Sequence, residues 1–434
     1  MDEFRPTKIV EVELTQQLPD LADAVEADGY TRALVTALVH GIAVGQVEMD
    51  LADRPIPREV FATCFWAELK DPIRAHFAAD GLDVPDALGQ EGLASSALPE
   101  CRRRRVDFLA ADPPSVDVII PTRERPEQLE RCLRSILATE YPVDRRRVYV
   151  VDNAPETDAT RRLVEDRFSK GVVYLREQTP GSSAARNTGV AESTAPIVAF
   201  TDDDVVVDSW WLEEIARTYK ELPQAGAVTG LLLPMELETP AQAWFEEYGG
   251  FSRGFETRIF NLTDHRVESP LYPFNAGQFG TGNSMSFRRD VLSDIGGFDP
   301  ALGNGTPARG GVDTEVLLRT ILEGHTIVYQ PTALARHAHR REYAALRNQL
   351  NNYGVGLTAT FTKVLLTRPS VIPLFLRHLP AGLMFALDPR SAKNARKERT
   401  YPAELTKAEL YGMAYGPIAY LRSRRHLRRL ATRE

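Results

Sequence analysis

The sequence predicts an α/β fold: an open, mostly parallel sheet flanked by helices, with a small N-terminal α/β domain and a helical, basic C-terminal extension. Three observations lead there. Short apolar runs, VDVIIPT, RRVYVVDNA, VVYLRE, PIVAFTDDD and GAVTGLLL, recur between residues 116 and 233. Helix-patterned stretches separate them, as in a sheet whose parallel strands need covering crossovers. Most of the strand-like runs end in polar residues, Thr122, Arg123 and Glu124 after the first, Asp152 and Asn153 after the second, and three aspartates after the fourth. In an open α/β sheet ligands bind beyond the carboxyl ends of strands, so these tips line one crevice.

Taken in order, residues 1–98 alternate extended runs (KIVEVEL, GIAVGQVEMDL) with helical ones (DGYTRALVTALV, REVFATCFWAELKDPIRAHFAA) and form a small accessory α/β domain. Residues 99–115 are rich in charge and turn formers and read as a linker. The main domain is 116–345. Between its first two strands, Leu129, Cys132, Leu133, Ile136 and Leu137 follow helical spacing, which is a core stripe. Residues 346–434 make a helical extension.

The chain has 434 residues, 43% hydrophobic and 26% charged, an ordinary globular balance. Its three cysteines, Cys64, Cys101 and Cys132, form no Cys-x-x-Cys pair, which argues for a reducing compartment and against a disulfide frame or thiolate zinc site. The apolar stretch 371–387 contains Arg377, His378 and two prolines and falls short of the ~20 residues of a spanning helix. The expected location is cytoplasmic, at the inner face of the membrane. From residue 390 to the end there are twelve Lys or Arg and four Glu, although the whole chain carries a net charge of -8. A second basic run, CRRRRVDF, begins at Cys101. Solvated surfaces are the bland reading of both. The functional reading is peripheral membrane contact of the basic C-terminal tail with anionic lipid. Neither run has interleaved aromatics, which argues against nucleic acid.

The run IVAFTDDDVVVDSWW places Asp202, Asp203 and Asp204 directly behind a buried strand. Adjacent carboxylates repel, so a sheet end that gathers them needs a cation. A calcium loop of the EF-hand kind would need a glycine turn and a distal Glu, and DDDVVVD has neither.

With the motifs GSSAARNTG, GTGNSMSFRR and GGVDTEVLLRTILEGH in the same order, residues 116–337 resemble the family 2 glycosyltransferases, whose nucleotide-sugar-binding fold is called GT-A. The resemblance implies inverting transfer of a sugar from a nucleotide-diphosphate donor to a glycan, lipid-linked or small-molecule acceptor, with a divalent metal, Mn or Mg. It implies that Pro121 and Thr122 open the nucleotide pocket, that Asp152 hydrogen-bonds the base, and that Arg123 and Glu124 stand where relatives carry an aromatic and an Asn. The Gly181 turn, the helix start after it and Arg186 would serve the diphosphate. Asp202 and Asp203 belong to the donor site, Asp203 pointing away from its neighbours, and Asp204 and His337 would ligate the metal. His339 reads as a surface histidine. Gly282 and Asn283 would wall the donor sugar. Asp313, in a motif that usually reads Gly-Glu-Asp, is a helix N-cap, the general base toward the acceptor, or both; Glu315 is the next candidate.

Two other classes compete. A sugar nucleotidyltransferase would carry a Gly-rich phosphate loop after the first strand, and PTRERPEQ has no glycine. A non-catalytic nucleotide-sugar or lipid-binding protein would have lost its base or metal ligands, and Asp204 and Asp313 are both present.

Overall fold

The computed structural model describes residues 4–19, 30–51, 56–93, 97–397 and 400–431. Near the N-terminus, β1 (Thr7–Glu13) lies parallel to β2 (Arg32–Val39), which turns back antiparallel into β3 (Ile42–Asp50). The run at 32–39 is therefore a strand where its pattern suggests a helix; residues 28 and 29 of that expectation lie outside the described chain. Short apolar runs do not separate helix from strand by themselves, and here β-branched Val35 and Thr36 are paired on both edges. Helix α1 (Arg58–Ala79) covers the sheet, burying Phe61, Phe65, Leu69, Ile73 and Phe77 along one stripe.

The stretch expected to be a linker contains a helix, α2 (Glu100–Ala110). Its basic run is only partly solvated: Arg103 and Arg104 are exposed and pair with Glu100, whereas Arg105 is buried against Glu213 and Glu214. A buried guanidinium needs such partners, and those carboxylates come from a segment more than a hundred residues away.

The central region runs β4 (Val116–Thr122), α3 (Pro126–Leu137), β5 (Arg146–Asn153), α4 (Ala159–Arg167), β6 (Val172–Glu177), α5 (Ser182–Glu192), β7 (Ile197–Phe200), β8 (Val205–Val207), α6 (Trp211–Glu221), β9 (Ala225–Pro234), α7 (Pro240–Tyr248), β10 (Arg258–Phe260), β11 (Met285–Arg288), α8 (Arg289–Asp294), α9 (Val312–Leu322) and β12 (Thr326–His337). The strands form one sheet in the order β10-β12-β9-β11-β7-β4-β5-β6, with β8 also on β12. β4, β5, β6 and β7 are mutually parallel, as is β12 with β9. The other half is mixed, because β11 inserts antiparallel between β7 and β9, and β8 and β10 pair antiparallel with β12. Alternate residues of β4 serve opposite faces: Ile119 joins one core, Val118 and Ile120 the other.

The extension is α10 (Tyr343–Thr367), α11 (Ile372–Leu387) and α12 (Ala403–Ala431). α12 packs along α10 through Gly354, Gly412 and Gly416, where an added Cβ would overlap the facing backbone or Thr358. With its preceding turn, α11 forms a 19-residue apolar helix, Pro369–Leu387, long enough by length and composition to cross a membrane and only 6% buried. This exceeds what the prolines and Arg377 suggest, since Pro373 sits in the helix's first turn, where no hydrogen bond is lost, and Pro380 is accommodated inside it.

Candidate functional site

The carboxyl ends of β4, β7 and β12 open onto one cavity of about 1250 Å³. Pro121, Thr122, Arg123, Arg186, Asp202, Asp203, Asp204, Gly282, Asn283, Asp313 and His337 all line it. It thus collects eleven of the residues singled out in the sequence, drawn from six separate segments.

The aspartates occupy the turn between β7 and β8, and each has a different partner. Asp202 accepts from Arg186 Nη2 (2.7 Å). Asp203 does not point away: its Oδ2 accepts from Thr122 Oγ1 at 2.7 Å and its Oδ1 from Arg125 Nη1 at 3.2 Å. The turn leaves strand geometry after Phe200, so side-chain alternation no longer holds. Asp204 faces His337 Nε2 at 3.4 Å, Arg340 Nη2 at 3.3 Å and Arg125 Nη1 at 3.5 Å. Burial and the Asp204 carboxylate push Asp203 up to about 6. Burial also opposes ionisation of Asp204, but His337, Arg340 and Arg125 outweigh it and hold that carboxyl well below the usual range. Asp204 therefore ionises well before Asp203.

His339 is buried, not a surface residue. Its Nε2 lies 2.7 Å from Glu246 Oε1, and its Nδ1 lies 2.9 Å from His337 Nδ1. Burial lowers its pKa, so it is neutral near pH 7. With His339 neutral, its Nε2–H donates to Glu246 and its Nδ1 accepts from His337 Nδ1–H, which leaves His337 Nε2 as the ring nitrogen facing Asp204. Such a relay fixes the orientation of the His337 ring. Arg125, Arg340 and Glu246 are charged neighbours of these residues that motif reading misses, and His339 is one that it misplaces. Only the His-x-His spacing at 337–339 signals them in the sequence.

Asp313 is the second residue of α9, not its cap; that position is Gly311, at φ 82°. Its Oδ2 accepts from Gly282 N at 3.1 Å and its Oδ1 from Thr314 N at 2.8 Å. A Cβ on Gly282 would come within 3.0 Å of the Asp313 Cβ, so the close approach that this glycine permits is to Asp313. Glu315 is buried and paired with Arg319 and Lys363, which removes it as a substitute base.

Three expected donor contacts lie elsewhere. Glu124 turns away from the cavity and accepts from the backbone of Glu156 and Thr157 and from the Thr157 hydroxyl, fastening the loop after β5. The Gly181 N–H is taken by Asn153 Oδ1 (2.8 Å) and that of Ser182 by the Asn304 carbonyl (3.0 Å), so this helix start has its first donors engaged. Asp152 is buried at the end of β5, accepting from Tyr174 Oη at 3.0 Å while its Oδ1 has no close partner. Burial pushes it up to about 6. The Arg186 Nε is likewise buried without a partner. Trp211 is core, its indole donating to Ser284, and Trp210 packs against Arg105.

The profile of the family described as "Glycosyltransferase like family 2" matches residues 113–353. The pre-mycofactocin glycosyltransferase of Mycobacterium tuberculosis is 26% identical over 227 residues, covering 52% of this chain and 43% of that protein. The glucosyl-dolichyl phosphate glucuronosyltransferase of Haloferax volcanii is 27% identical, covering 51% and 68% respectively. Among solved structures, a mannosyltransferase from Pyrobaculum calidifontis superposes with a TM-score of 0.40 at 19% identity, covering 76% of this chain and 81% of that one.

Proposed function

The chain belongs to the family 2-like glycosyltransferases, and from that premise we propose that it transfers a sugar from a nucleotide-diphosphate donor to an acceptor hydroxyl with inversion, Asp313 acting as general base. The observation that carries the reading is the meeting of Asp204, His337, Arg186 and Asp313 in one cavity. Asp204 and His337 would hold a divalent cation, Mn or Mg; the donor set fits, since a carboxylate oxygen and an imidazole nitrogen face each other there at 3.4 Å. When bound, such an ion supplies charge stabilisation to the departing diphosphate.

The chain's own residues supply the rest. Pro121, Thr122 and Arg123 border the nucleotide, while Asp152, fully buried at the end of β5, does not line the cavity. Asp202 and Asp203 lie toward the ribose and the cation, while Arg186, with its free Nε, faces the diphosphate. Gly282 and Asn283 border the donor sugar. Asp313 accepts the acceptor's proton as its oxygen bonds to the anomeric carbon, and the bonding pair of the broken C–O bond leaves on the nucleoside diphosphate. Single displacement inverts that carbon. Phe375, Leu379 and Leu383 of α11 form an apolar wall of the same cavity, which favours a lipid-linked acceptor over a wholly polar one. The exposed face of α11 and the basic residues after it support peripheral contact with the inner face of an anionic membrane.

The test is turnover of a nucleotide-sugar panel with Mn or Mg. Release of nucleoside diphosphate means transfer, release of pyrophosphate a nucleotidyltransferase, and neither a binding protein. Asp204→Asn should abolish metal-dependent release, and full activity of that variant in chelator would refute the metal assignment.

A further inference from the structure

We propose that His40, His76, Asp80 and Cys101, none of which lines the cavity, form a metal site of their own, which takes one zinc-like divalent ion and fastens the N-terminal unit to the helix leading into the central sheet. One ligand atom from each lies within 4.8 Å of all the others. His40 Nδ1 is 3.2 Å from His76 Nε2 and 2.8 Å from Asp80 Oδ2; His76 Nε2 is 3.1 Å from that oxygen. Cys101 Sγ is 3.0 Å from the same oxygen and 3.9 Å from His76 Nε2. Zinc bonds of about 2.0–2.3 Å in tetrahedral array set ligand atoms roughly 3.3–3.8 Å apart, so small shifts of these side chains suffice.

A hydrogen-bond network accounts for the cluster less well. His40 Nδ1, His76 Nε2 and the thiol all converge on one carboxylate oxygen, while the two imidazole nitrogens also face each other. Each neutral ring has a single N–H, so the contacts cannot all be hydrogen bonds at once. A central cation uses every lone pair. One thiolate, one carboxylate and two neutral imidazoles sum to two negative charges, matching a divalent ion, and this mixed N, O and S set suits zinc better than Mg or Ca.

The surroundings hold the ligands in place. His40 and Gly41 make the two-residue turn between β2 and β3, both at positive φ (54° and 82°). Asn, Asp or Gly normally fills the first of those positions, and a strained histidine there points to a task for its ring. The turn amides are bound by Glu13, His40 N at 3.1 Å and Gly41 N at 2.7 Å. The second Asp80 oxygen accepts from Cys101 N at 2.8 Å, as ligating carboxylates commonly do from their neighbours. His40 and Asp80 are buried, and His76 and Cys101 half-buried, leaving a route for the ion. His76, in the last turn of α1, and Asp80, the residue that caps it, stand four residues apart, and Cys101 lies one turn from Arg105, which binds Glu214 on α6. The absence of a Cys-x-x-Cys pair, which argues against a thiolate site in the sequence, does not bear on a set with one thiolate.

Full-length protein should carry about one equivalent of zinc by mass spectrometry, retained after a wash that empties weaker sites. Exchange to Co(II) should produce a thiolate-to-cobalt charge-transfer band with intense tetrahedral visible bands, absent in Cys101→Ser and retained in Cys132→Ala, whose thiol is the one near the aspartates. Zinc should raise the melting temperature of the stripped wild type but not of Cys101→Ser. The Co(II) spectrum of the wild type needs no variant to fold. Absence of the charge-transfer band there overturns the site, as does a full zinc equivalent retained by Cys101→Ser.

Discussion

Asp313 donates nothing and accepts two backbone N–H bonds, from Gly282 and Thr314. An Asn there offers one oxygen to the same partners but cannot take the acceptor's proton. Asp313→Asn, which keeps one of the two bonds, should melt somewhat below the wild type and bind donor normally, while transfer falls by about a hundredfold or more. Near wild-type transfer would leave this residue a purely structural role, and buried Glu315 could not inherit the chemistry. A second residue makes a pH prediction. Burial and the neighbouring Glu214 carboxylate push Glu213 up to about 8 from the ordinary 4.5, so the native chain holds a proton that the unfolded chain releases. Stability from this group is complete below about 4.5 and is lost as pH rises toward 8. Chemical denaturation of the wild type should show that decline and Glu213→Gln should flatten it; parallel profiles would place the proton elsewhere.

At the scale of elements, the C-terminal extension is more than a solvated basic face. α12 lies on α10 at glycine-to-backbone contact, Tyr420 donates to Asp299 at 2.9 Å, and Lys393, Arg396, Glu409 and Met413 line the cavity. Removing residues 390–434 would uncover this packing, so truncation is no clean test of the tail. A single Cβ is cleaner. Gly412→Ala places a methyl group on the Asn351 carbonyl and should cost about 1–3 kcal/mol in urea unfolding, the usual range for overpacking. Gly382→Ala, in a helix with nothing within 4 Å of the new carbon, should be neutral or slightly stabilising. Equal stability of the two variants would mean that α10 and α12 are not held at contact distance.

For the whole molecule, an exposed apolar helix and a basic stretch follow one another in the C-terminal extension. α11 leaves Leu376 58% and Met384 64% exposed, and basic residues follow it. Flotation with anionic vesicles should be strong at low salt and weaker at high salt, and Leu376→Glu with Met384→Glu should reduce it at both. Unchanged flotation of that double variant would assign the apolar face to another partner.

The sequence by itself determined the α/β class, the parallel strands of the central sheet, and the aspartates and Asp313 as residues of one crevice. Those features depend on patterns repeated every two or 3.6 residues and on motifs a few residues long, which sequence order preserves. Only the tertiary structure decided that 32–39 is a strand, that the expected linker is a helix with a buried arginine, and that Glu124 and Gly181 serve neighbouring loops. It alone brought Arg125 and Arg340 to the aspartates, Glu246 to His339, and Cys101 to His40, His76 and Asp80. These groups come from separate segments and carry no common period or spacing. A buried charge takes whichever counter-charge the packing delivers, and that choice is made when the segments meet.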